Sequence, residues 1–553
     1  MNKFFITLLT MIFVTSAIHA QRTVGLISYK PWKSYDGFNL VYPSNQSDVF
    51  LLDNCGEIVH LWEGEEGRVA SNIAYILENG NMVRTHRSTD FSNDAIWAGG
   101  GGETVELVDW DNQTLWSFSL NNEEERLHHD ISVLPNGNIL MIVWQRISGE
   151  EAIALGRVEG TLSDGELWPD KIIELNPETD ELVWEWRAVD HFIQDVDPAK
   201  PNFGVIADNP QRIDINYDFG NNRADWMHAN AIDFDPMNNH IILSVPNFHE
   251  VWVIDHSTST EQAAGSTGGF GGRGGDLLYR WGNPAAYNRG DESDQKLFFQ
   301  HDAQIVDDFL PPSHPLFGQY ATFNNRAGTD FSTVVVWDNP FDMYTNTFET
   351  DSEGLFLPDD FIIETGHPIP QNLFSTGLSS VQVLANDNLL ITDGRNGYTF
   401  ELAPDNDVVW EYVTPLRGGN PVAQGEELNI NENLTFRMKR YPKDFAGFDG
   451  RDLDPNGFIE IDGDEEFCDQ ILPIEMTYVN DRLEISPNPV SDYVTITWES
   501  TLYETITIID IFGNTMMQEN VSGGKLRFDV SNLASGYYFV RTSRGGVKKF
   551  IKI

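Results

Sequence analysis

One short pattern recurs along this chain of 553 residues, and a polar residue begins each copy. Each copy alternates into an apolar pair, turns at Asn-Gly or a related pair, and in most copies enters a second apolar stretch. The copies begin at Asn72, His129, Asn230, His301 and Ser379. Strand side chains alternate between faces, so we expect His228 to point the same way as Asn230. If the copies lie around one axis, three histidines, an asparagine and a serine converge on one pocket.

A second pattern consists of an apolar strand, a polar turn and a strand that ends at tryptophan. Clear copies end at Trp62, Trp116, Trp186, Trp281 and Trp410, and a degenerate sixth copy surrounds Trp337. Short alternating strands with regular turn signals indicate an all-β chain. Repeats of several tens of residues, each with four strands, are typical of a β-propeller. We therefore predict an all-β fold: a six-bladed β-propeller at 21–480 and a small C-terminal β-sandwich at 481–553.

The first twenty residues have the features of a signal peptide. Lys3 supplies the positive start, Phe4 to Val14 form the apolar run, and small residues near Ala20 suit cleavage. This run is too short to span a bilayer, and no later stretch of about 18 apolar residues follows. We expect an exported protein, carried through the periplasm and secreted or held at the cell surface, with no membrane span.

The two cysteines are Cys55, in the first blade-like segment, and Cys468, just after the last. Export permits a disulfide, and a ring-shaped fold would bring these positions together. We predict that they pair; two buried free thiols are the alternative.

The charge balance restricts the partners. Asp and Glu number 85 against 35 Lys and Arg, which gives a formal charge of −50. This surplus argues against nucleic acid or an anionic membrane surface as partner. An anionic substrate would need a local positive site to overcome the field.

Residues 484–553 form a separate segment. It opens on Pro487-Asn488-Pro489, contains the strand Gly536-Tyr-Tyr-Phe-Val540 and closes on a run with Lys548, Lys549 and Lys552. These features resemble the C-terminal sorting domain of type IX secretion substrates. The resemblance implies delivery across the outer membrane by the type IX machinery, with the domain removed or attached to the surface.

The repeated histidines suit three kinds of chemistry: nucleophilic attack, proton transfer or metal binding. Three histidines around an axis could hold zinc, but no HExxH motif or carboxylate cluster accompanies them. We therefore predict no metal and no cofactor. The alternative is that each histidine is an interior polar residue bonded within its own blade, but a tunnel face has no packing reason to repeat imidazole.

Over residues 25–460 the chain resembles the PAPS-independent arylsulfate sulfotransferases, which are exported six-bladed propellers. Four phrases carry the resemblance: His128-His129-Asp130, Trp226-Met-His228-Ala-Asn230, Phe299-Gln-His301-Asp-Ala303 and Asp393-Gly-Arg395-Asn-Gly397. The resemblance implies that His301 is the nucleophile. It assigns His228, Asn230 and His129 to sulfuryl binding and proton transfer. If the match to the family is shifted by one residue, His128 takes the role of His129.

The implied reaction has two halves. Neutral imidazole attacks the sulfur of an aryl sulfate and forms a sulfo-histidine, and a phenolic acceptor then takes the sulfuryl group. Since attack requires neutral imidazole, we expect the rate to fall as the pH drops through about 6.5, the pKa of an unperturbed histidine.

One position departs from the family pattern. After the strand Ile241–Val245 the family carries an active-site arginine, whereas this chain has Pro246. Arginine binds sulfate bidentately and is not easily replaced; His249 and Arg395 are the candidates to compensate. Two other functions stay open: a non-catalytic propeller that binds a sulfated or polysaccharide ligand, and a quinone-cofactor dehydrogenase, although the chain lacks a clear calcium and cofactor constellation for the latter.

Overall fold

The computed structural model describes residues 22–217, 222–464, 466–468, 484–497, 503–509, 515–522, 524–542 and 547–553. The predicted signal peptide at 1–20 lies outside these residues. Strands make up 41% of the described residues and helices 7%, which confirms the all-β prediction. The chain divides into two compact units, residues 1–463 and 464–553.

The first unit contains six antiparallel sheets of four or five strands, numbered here in chain order. The strands follow in hydrogen-bonded order, and the first strand given for each sheet is called its leading strand. Sheet 1 consists of Met438–Pro442, Gly37–Val41, Val49–Leu52 and Ile58–Trp62. Sheet 2 consists of Arg68–Ile76, Met82–Ser88, Thr104–Val108 and Thr114–Ser119. Sheet 3 consists of Glu125–Val133, Ile139–Gln145, Asp170–Asn176 and Glu181–Arg187. Sheet 4 consists of Ala231–Asp235, His240–Val245, Glu250–Asp255 and Tyr279–Trp281. Sheet 5 consists of His301–Ile305, Tyr320–Asn324, Thr333–Trp337 and Ile363–Thr365. Sheet 6 consists of Ser380–Val383, Leu389–Asp393, Tyr398–Leu402, Val408–Val413 and Gly25–Tyr29.

Shorter elements connect these sheets. Two-residue strand pairs are Ile147–Ser148 with Glu166–Leu167, Phe192–Ile193 with Ile213–Asp214, Phe341–Asp342 with Thr347–Phe348, and Leu416–Arg417 with Asn420–Pro421. Among the described residues of the first unit, the α-helices are Gly149–Ala154 and Thr260–Ala263. The 3₁₀-helices are Ala188–His191, Ile206–Asp208, Pro284–Tyr287, Glu292–Asp294, Pro370–Asn372 and Ala446–Phe448.

Segments distant in sequence complete two of the sheets. Sheet 1 takes its leading strand, Met438–Pro442, from the end of the unit, and sheet 6 takes its last strand, Gly25–Tyr29, from the start. Backbone hydrogen bonds therefore join both ends of the first unit to the opposite end of its sequence.

The first sequence pattern forms the leading strand and the hairpin that follows it. At the Asn-Gly turns, Gly80 and Gly137 have φ of 83° and 85°, which glycine adopts without steric cost. The turns close through Leu77 N–H donating to Asn81 O at 2.7 Å and Leu134 N–H to Asn138 O at 2.9 Å.

The second pattern forms the outer strands, and its tryptophans connect one sheet to the next. The indole N–H groups donate across the boundaries between sheets 1 and 2, 2 and 3, 3 and 4, and 6 and 1: Trp62 to Asp109 O, Trp116 to Asp180 Oδ1, Trp186 to Gly275 O, and Trp410 to Asn54 O. Trp337 differs because it lies on the third strand of sheet 5 and donates back to Tyr279 Oη of sheet 4 at 3.3 Å.

The apolar core lies between neighbouring sheets. Ile241 and Leu243 of sheet 4 pack with residues of sheet 3, whereas Ile242, between them, packs with residues of sheet 5. Successive strand residues point to opposite faces, so each sheet contributes to two cores. Similar clusters separate sheets 1 and 2, 2 and 3, and 5 and 6.

The second unit contains two antiparallel sheets. Their strands are Glu484–Ser486, Tyr493–Thr497, Lys525–Asp529 in one and Thr515–Ser522, Tyr503–Ile509, Gly536–Thr542, Val547–Lys552 in the other. Both sheets supply residues to one buried cluster that includes Val494, Ile508, Phe528 and Val540, which is how two sheets pack face to face.

Neither Cys55 nor Cys468 is a free thiol, which excludes the alternative of two free thiols. Within the described residues, the helices are all too short or too polar to cross a membrane.

Candidate active site

The three predicted histidines lie at leading strands of sheets 3, 4 and 5. His129 is within the leading strand of sheet 3, His228 precedes that of sheet 4, and His301 opens that of sheet 5. The rings of His129 and His228 meet edge to face with centroids 4.5 Å apart. His301 belongs to the same cluster: burial is the main cause that lowers the pKa of His129, and charge on His228, His128 or His301 lowers it further.

Irregular backbone, rather than regular strand, orients these side chains. His129 and His228 have φ of 53° and 58°, in the left-handed region that few non-glycine residues adopt. The pairing of the leading strands is interrupted in sheets 2, 3 and 5, at or beside the first residues of the repeats. Such bulges re-aim side chains beside active sites. Strand alternation therefore does not determine where His228 points.

The ring of His301 is held at one nitrogen. Its Nδ1 lies 2.8 Å from Asn325 Oδ1 and 3.1 Å from Phe299 O. Asn325 Nδ2 donates to Ser375 O and Leu378 O, at 2.9 and 3.2 Å, and this fixes its amide oxygen toward His301. Both partners of Nδ1 are acceptors, so Nδ1 carries the proton. The other nitrogen, Nε2, is left with a lone pair.

Burial keeps this imidazole neutral. His301 is 7% exposed, and burial lowers its pKa to about 4, although the hydrogen bond to Asn325 acts in the opposite direction. The charges of His228 and Arg395 lower the pKa further. At pH 7 the side chain is therefore an uncharged base.

His228 has the opposite electrostatic setting. Burial acts to lower its pKa, but the charge of Asp225 and a 2.5 Å hydrogen bond from Nδ1 to Asp225 Oδ2 outweigh it, with Asp170 adding to them. The net effect is a raised pKa. The side chain is 25% exposed, more than that of His301. His228 is thus the member of the cluster suited to carry a proton.

His129 lies within the cluster and His128 lies behind it. The two Nδ1 atoms are 2.9 Å apart, and His128 stacks on Trp144 with ring centroids 4.1 Å apart. Burial holds the pKa of His129 well below its usual value. A Cβ at Gly100 would lie 2.1 Å from His129 Nε2, and Gly100 has φ of 82°, so only glycine fits over this ring.

Asn230 and Ser379 brace the segments around His301. Asn230 is fully buried, and its Nδ2 donates to Gln300 O at 2.8 Å, which anchors the residue before His301. Ser379 Oγ accepts from Gly394 N–H at 2.9 Å, which anchors the turn that carries Arg395. Both side chains act on backbone in this structure.

An ion-paired layer adjoins the histidines. Arg437 Nη2 lies 2.5 Å from Asp302 Oδ1 and 3.0 Å from Asp130 Oδ2, and Nη1 bonds Tyr75 Oη. Asp130 and Asp302 directly follow His129 and His301 in sequence. Asp302 and Arg437 also line a cavity of about 450 Å³, whose lining includes none of the three histidines. The layer therefore separates the histidines from this cavity.

Pro246 begins a turn between two strands of sheet 4. Phe248 N–H donates to Val245 O at 3.1 Å, and His249 N–H to Pro246 O at 3.0 Å. His249 Nδ1 accepts from Phe299 N–H at 3.1 Å, and burial lowers its pKa to about 4. His249 is therefore neutral at pH 7 and does not supply the missing positive charge.

Sequence reasoning missed three residues that set this geometry: Asn325, Asp225 and Gly100. The sequence contains a hint for two of them. Asp225 lies three residues before His228, and Gly100 lies in the run Gly99-Gly-Gly-Gly102. Nothing in the sequence around Asn325 connects it to His301. Within the described residues, no group of three or more His, Cys, Asp or Glu side chains is placed to hold a metal ion.

Comparisons with known proteins give two family matches. The arylsulfotransferase (ASST) model matches residues 26–414, and the secretion system C-terminal sorting domain model matches residues 484–553. The second match is the type IX sorting domain and indicates export to the cell surface or medium. No curated protein matches the sequence.

Solved structures resemble the chain only distantly. A protein of unknown function from Bacteroides caccae is 12% identical with a TM-score of 0.36, over 68% of this chain and 93% of its own. Virginiamycin B lyase from Staphylococcus aureus is 10% identical with a TM-score of 0.31, over 72% of this chain and 90% of its own. The family model, by contrast, covers well over half of the sequence, and the chain belongs to the arylsulfotransferase family.

Proposed function

We propose that the protein transfers a sulfuryl group from an aryl sulfate to a phenolic acceptor through a sulfo-histidine on His301. Family membership supports aryl sulfotransferase activity in general. The observation that carries the finer proposal is the fixed tautomer of His301. Because Nδ1 is tied to two acceptors, Nε2 has a lone pair available for attack.

In the first half-reaction, His301 Nε2 attacks sulfur and forms an N–S bond. The bond between sulfur and the aryl oxygen breaks, and its electron pair leaves on the phenolate. His228, whose Nδ1 is paired with Asp225, protonates that oxygen. Asn325 stays bonded to Nδ1–H and stabilises the charge that develops on the imidazole ring.

In the second half-reaction a phenol attacks the sulfur of the sulfo-histidine. His228 takes the proton of the phenol back, the N–S bond breaks, and its electron pair returns to His301 Nε2. Each half-reaction releases a product before the next substrate binds, so the kinetics should be ping-pong.

The remaining predicted site residues support this reaction. We propose that His129, neutral and in contact with His228, binds sulfuryl oxygens together with it. Asn230 belongs to the site through its bond to Gln300 O, which fixes the position of His301, and its second amide hydrogen is the one offered to a sulfuryl oxygen.

We further propose that sheets 1 to 6 are the blades of a closed six-bladed propeller. Contacts at the leading strands connect every neighbouring pair of sheets in a cycle: Ile76 N–Tyr441 Oη, Tyr75 Oη–Asp130, Ile232 N–Asp130, Ile305 N–Asp233, Val381 N–Asp302 and Arg440 N–Gln382. The cavity of about 450 Å³ is lined by residues of all six leading strands. Both observations support a ring whose axis the leading strands surround.

The test uses the purified mature chain with 4-nitrophenyl sulfate as donor and phenol as acceptor. The wild type should release nitrophenolate faster when phenol is present, and His301→Asn should abolish turnover. Brief exposure to donor alone should add about 80 Da, the mass of one SO₃ group, to the peptide that contains His301. His367→Asn is the matched control, because the contacts of His367 with described residues, Ile369 and the rings of Tyr398 and Phe400, lie outside the cluster.

Robust turnover by His301→Asn would refute the assignment of His301 as the nucleophile. No turnover by the wild type over many aryl sulfates would favour the other function, a propeller that binds a sulfated ligand without reaction. Pro246, in place of the family arginine, is the observation that favours this second candidate.

A further inference from the structure

We propose that Arg395 binds the oxygens of the sulfuryl group at His301 and so replaces the arginine that is missing at position 246. The inference rests on the proposed function for the identity of the ligand, a sulfate ester. Arg395 would then supply the local positive charge that an anionic substrate needs, because the chain as a whole has a net charge of −50.

The turn that carries Arg395 is held by its surroundings. It follows the strand Leu389–Asp393 of sheet 6. Gly394 donates to Ser379 Oγ at 2.9 Å and accepts from Thr435 N–H at 3.0 Å, while Arg395 O accepts from Asn431 N–H at 2.8 Å. The backbone on both sides of the guanidinium is thus fixed, which suits a residue that must hold a ligand in one geometry.

A short chain of contacts connects this guanidinium with His301. His301 bonds Asn325, and Asn325 Nδ2 bonds the carbonyl groups of Ser375 and Leu378. Gly377 lies between those two residues, and a Cβ there would be 3.0 Å from Arg395 Nη2. The segment that orients His301 therefore also packs against Arg395. The charge of Arg395 reaches the histidine, since it contributes to the lowered pKa of His301.

The guanidinium has unused hydrogen-bonding capacity. Its Nη1 donates to Asn431 Oδ1 at 2.9 Å, and Asn431 is uncharged. Its Nε is buried and has no hydrogen-bond partner among the described residues. Three other guanidinium groups of this unit are paired with carboxylates: Arg280 with Glu250, Arg437 with Asp130 and Asp302, and Arg440 with Glu401. Arg395 is only partly buried and has no carboxylate partner among the described residues, so its charge and its Nε–H are available to an anionic ligand.

Two other groups near the cluster, Arg437 and His249, do not offer the same charge. Arg437 is neutralised by two carboxylates, and His249 is uncharged at pH 7. A sulfate ester presents three oxygens that share one negative charge, and a planar guanidinium can bond two of them at once. Arg395 meets both requirements. Its charge contributes to the lowered pKa of His301, and its Nε–H has no hydrogen-bond partner among the described residues.

The experiment compares Arg395→Gln and Arg395→Lys with the wild type. The control is Arg417→Gln, because Arg417 is ion-paired with Glu426 and Glu432. We expect kcat/KM for 4-nitrophenyl sulfate to fall about 100-fold in Arg395→Gln, the usual loss for one charge-stabilising donor. Arg395→Lys should retain part of the activity, because it keeps the charge and loses the bidentate fork. Arg417→Gln should match the wild type.

Calorimetric titration with inorganic sulfate separates this inference from the proposed reaction. Sulfate should bind the wild type and His301→Asn but not Arg395→Gln, at equal melting temperatures. Sulfate binding that depends on Arg395, in a protein that turns over no aryl sulfate, would uphold the anion site and refute the reaction. Sulfate affinity or turnover in Arg395→Gln within twofold of the wild type, or no sulfate binding by the wild type, would overturn the inference.

Discussion

His301 and His228 share one cluster, yet their surroundings shift their pKa values in opposite directions. Burial lowers the pKa of His301 to about 4, so the predicted fall in rate moves from about pH 6.5, the value for an unperturbed histidine, to about pH 4. Burial also disfavours charged His228, but Asp225 outweighs it and raises the pKa. Two titratable groups with separated pKa values are the usual arrangement of a base and an acid.

The pH profile of kcat/KM should follow from these two shifts. Protonation of His301 would remove the proposed nucleophile, so the acid limb should lie near pH 4. Deprotonation of His228 removes the acid, so the alkaline limb should lie above its ordinary value of about 6.5. Initial rates measured from about pH 3 to 9 test both limbs. Asp225→Asn is the internal control, because it should move only the alkaline limb to lower pH. An acid limb near pH 6.5 in the wild type would contradict the assignment of His301.

Among the elements, the leading strands connect the fold to the site. Arg437 lies directly before the leading strand of sheet 1 and bridges Asp130 of sheet 3 and Asp302 of sheet 5. Those two carboxylates follow His129 and His301. Arg437 is therefore a positioning residue, and the late segment that completes sheet 1 also sets the spacing of the histidines.

Arg437→Met should lower both stability and turnover. It leaves Asp130 and Asp302 buried without their cation, which typically costs about 3–5 kcal/mol. Arg440→Met is the matched control, because Arg440 is fully buried against Glu401 but contacts neither aspartate. We expect urea unfolding to show a similar loss for both variants, with kcat of the folded protein reduced only in Arg437→Met. Equal kcat in the two variants would limit Arg437 to a structural role.

The sequence predicted the elements better than the site. Asn-Gly turns and tryptophans recur because each sheet needs the same hairpin and, at most boundaries, the same indole contact to its neighbour, so they show as periodicity. Asn325 and Asp225 could not be found that way. Asn325 reaches His301 from the neighbouring strand end, and His228 is oriented by a left-handed backbone rather than by strand alternation. Neither relation leaves a periodic pattern in one sequence.

At the scale of the whole molecule, the proposed catalysis and the delivery of the protein belong to different parts of the chain. The histidine cluster lies in the first unit, residues 1–463, whereas the sorting domain at 484–553 has its own buried core in the second. The buried clusters described for the first unit are each built between its own sheets. Loss of the sorting domain should therefore leave the site intact.

Deletion of residues 484–553 should separate the two functions in cells. The truncated protein retains Cys55 and Cys468, and we expect it to fold, to keep the aryl sulfate turnover of the full chain and to accumulate in the periplasm. Cell fractionation combined with a turnover assay on each fraction measures both outcomes. Full-length His301→Asn is the complementary control, because it should reach the surface normally and show no turnover.

Normal surface delivery of the truncated protein would contradict the role of the sorting domain. Loss of turnover in a folded truncated protein would show instead that the second unit contributes to the site.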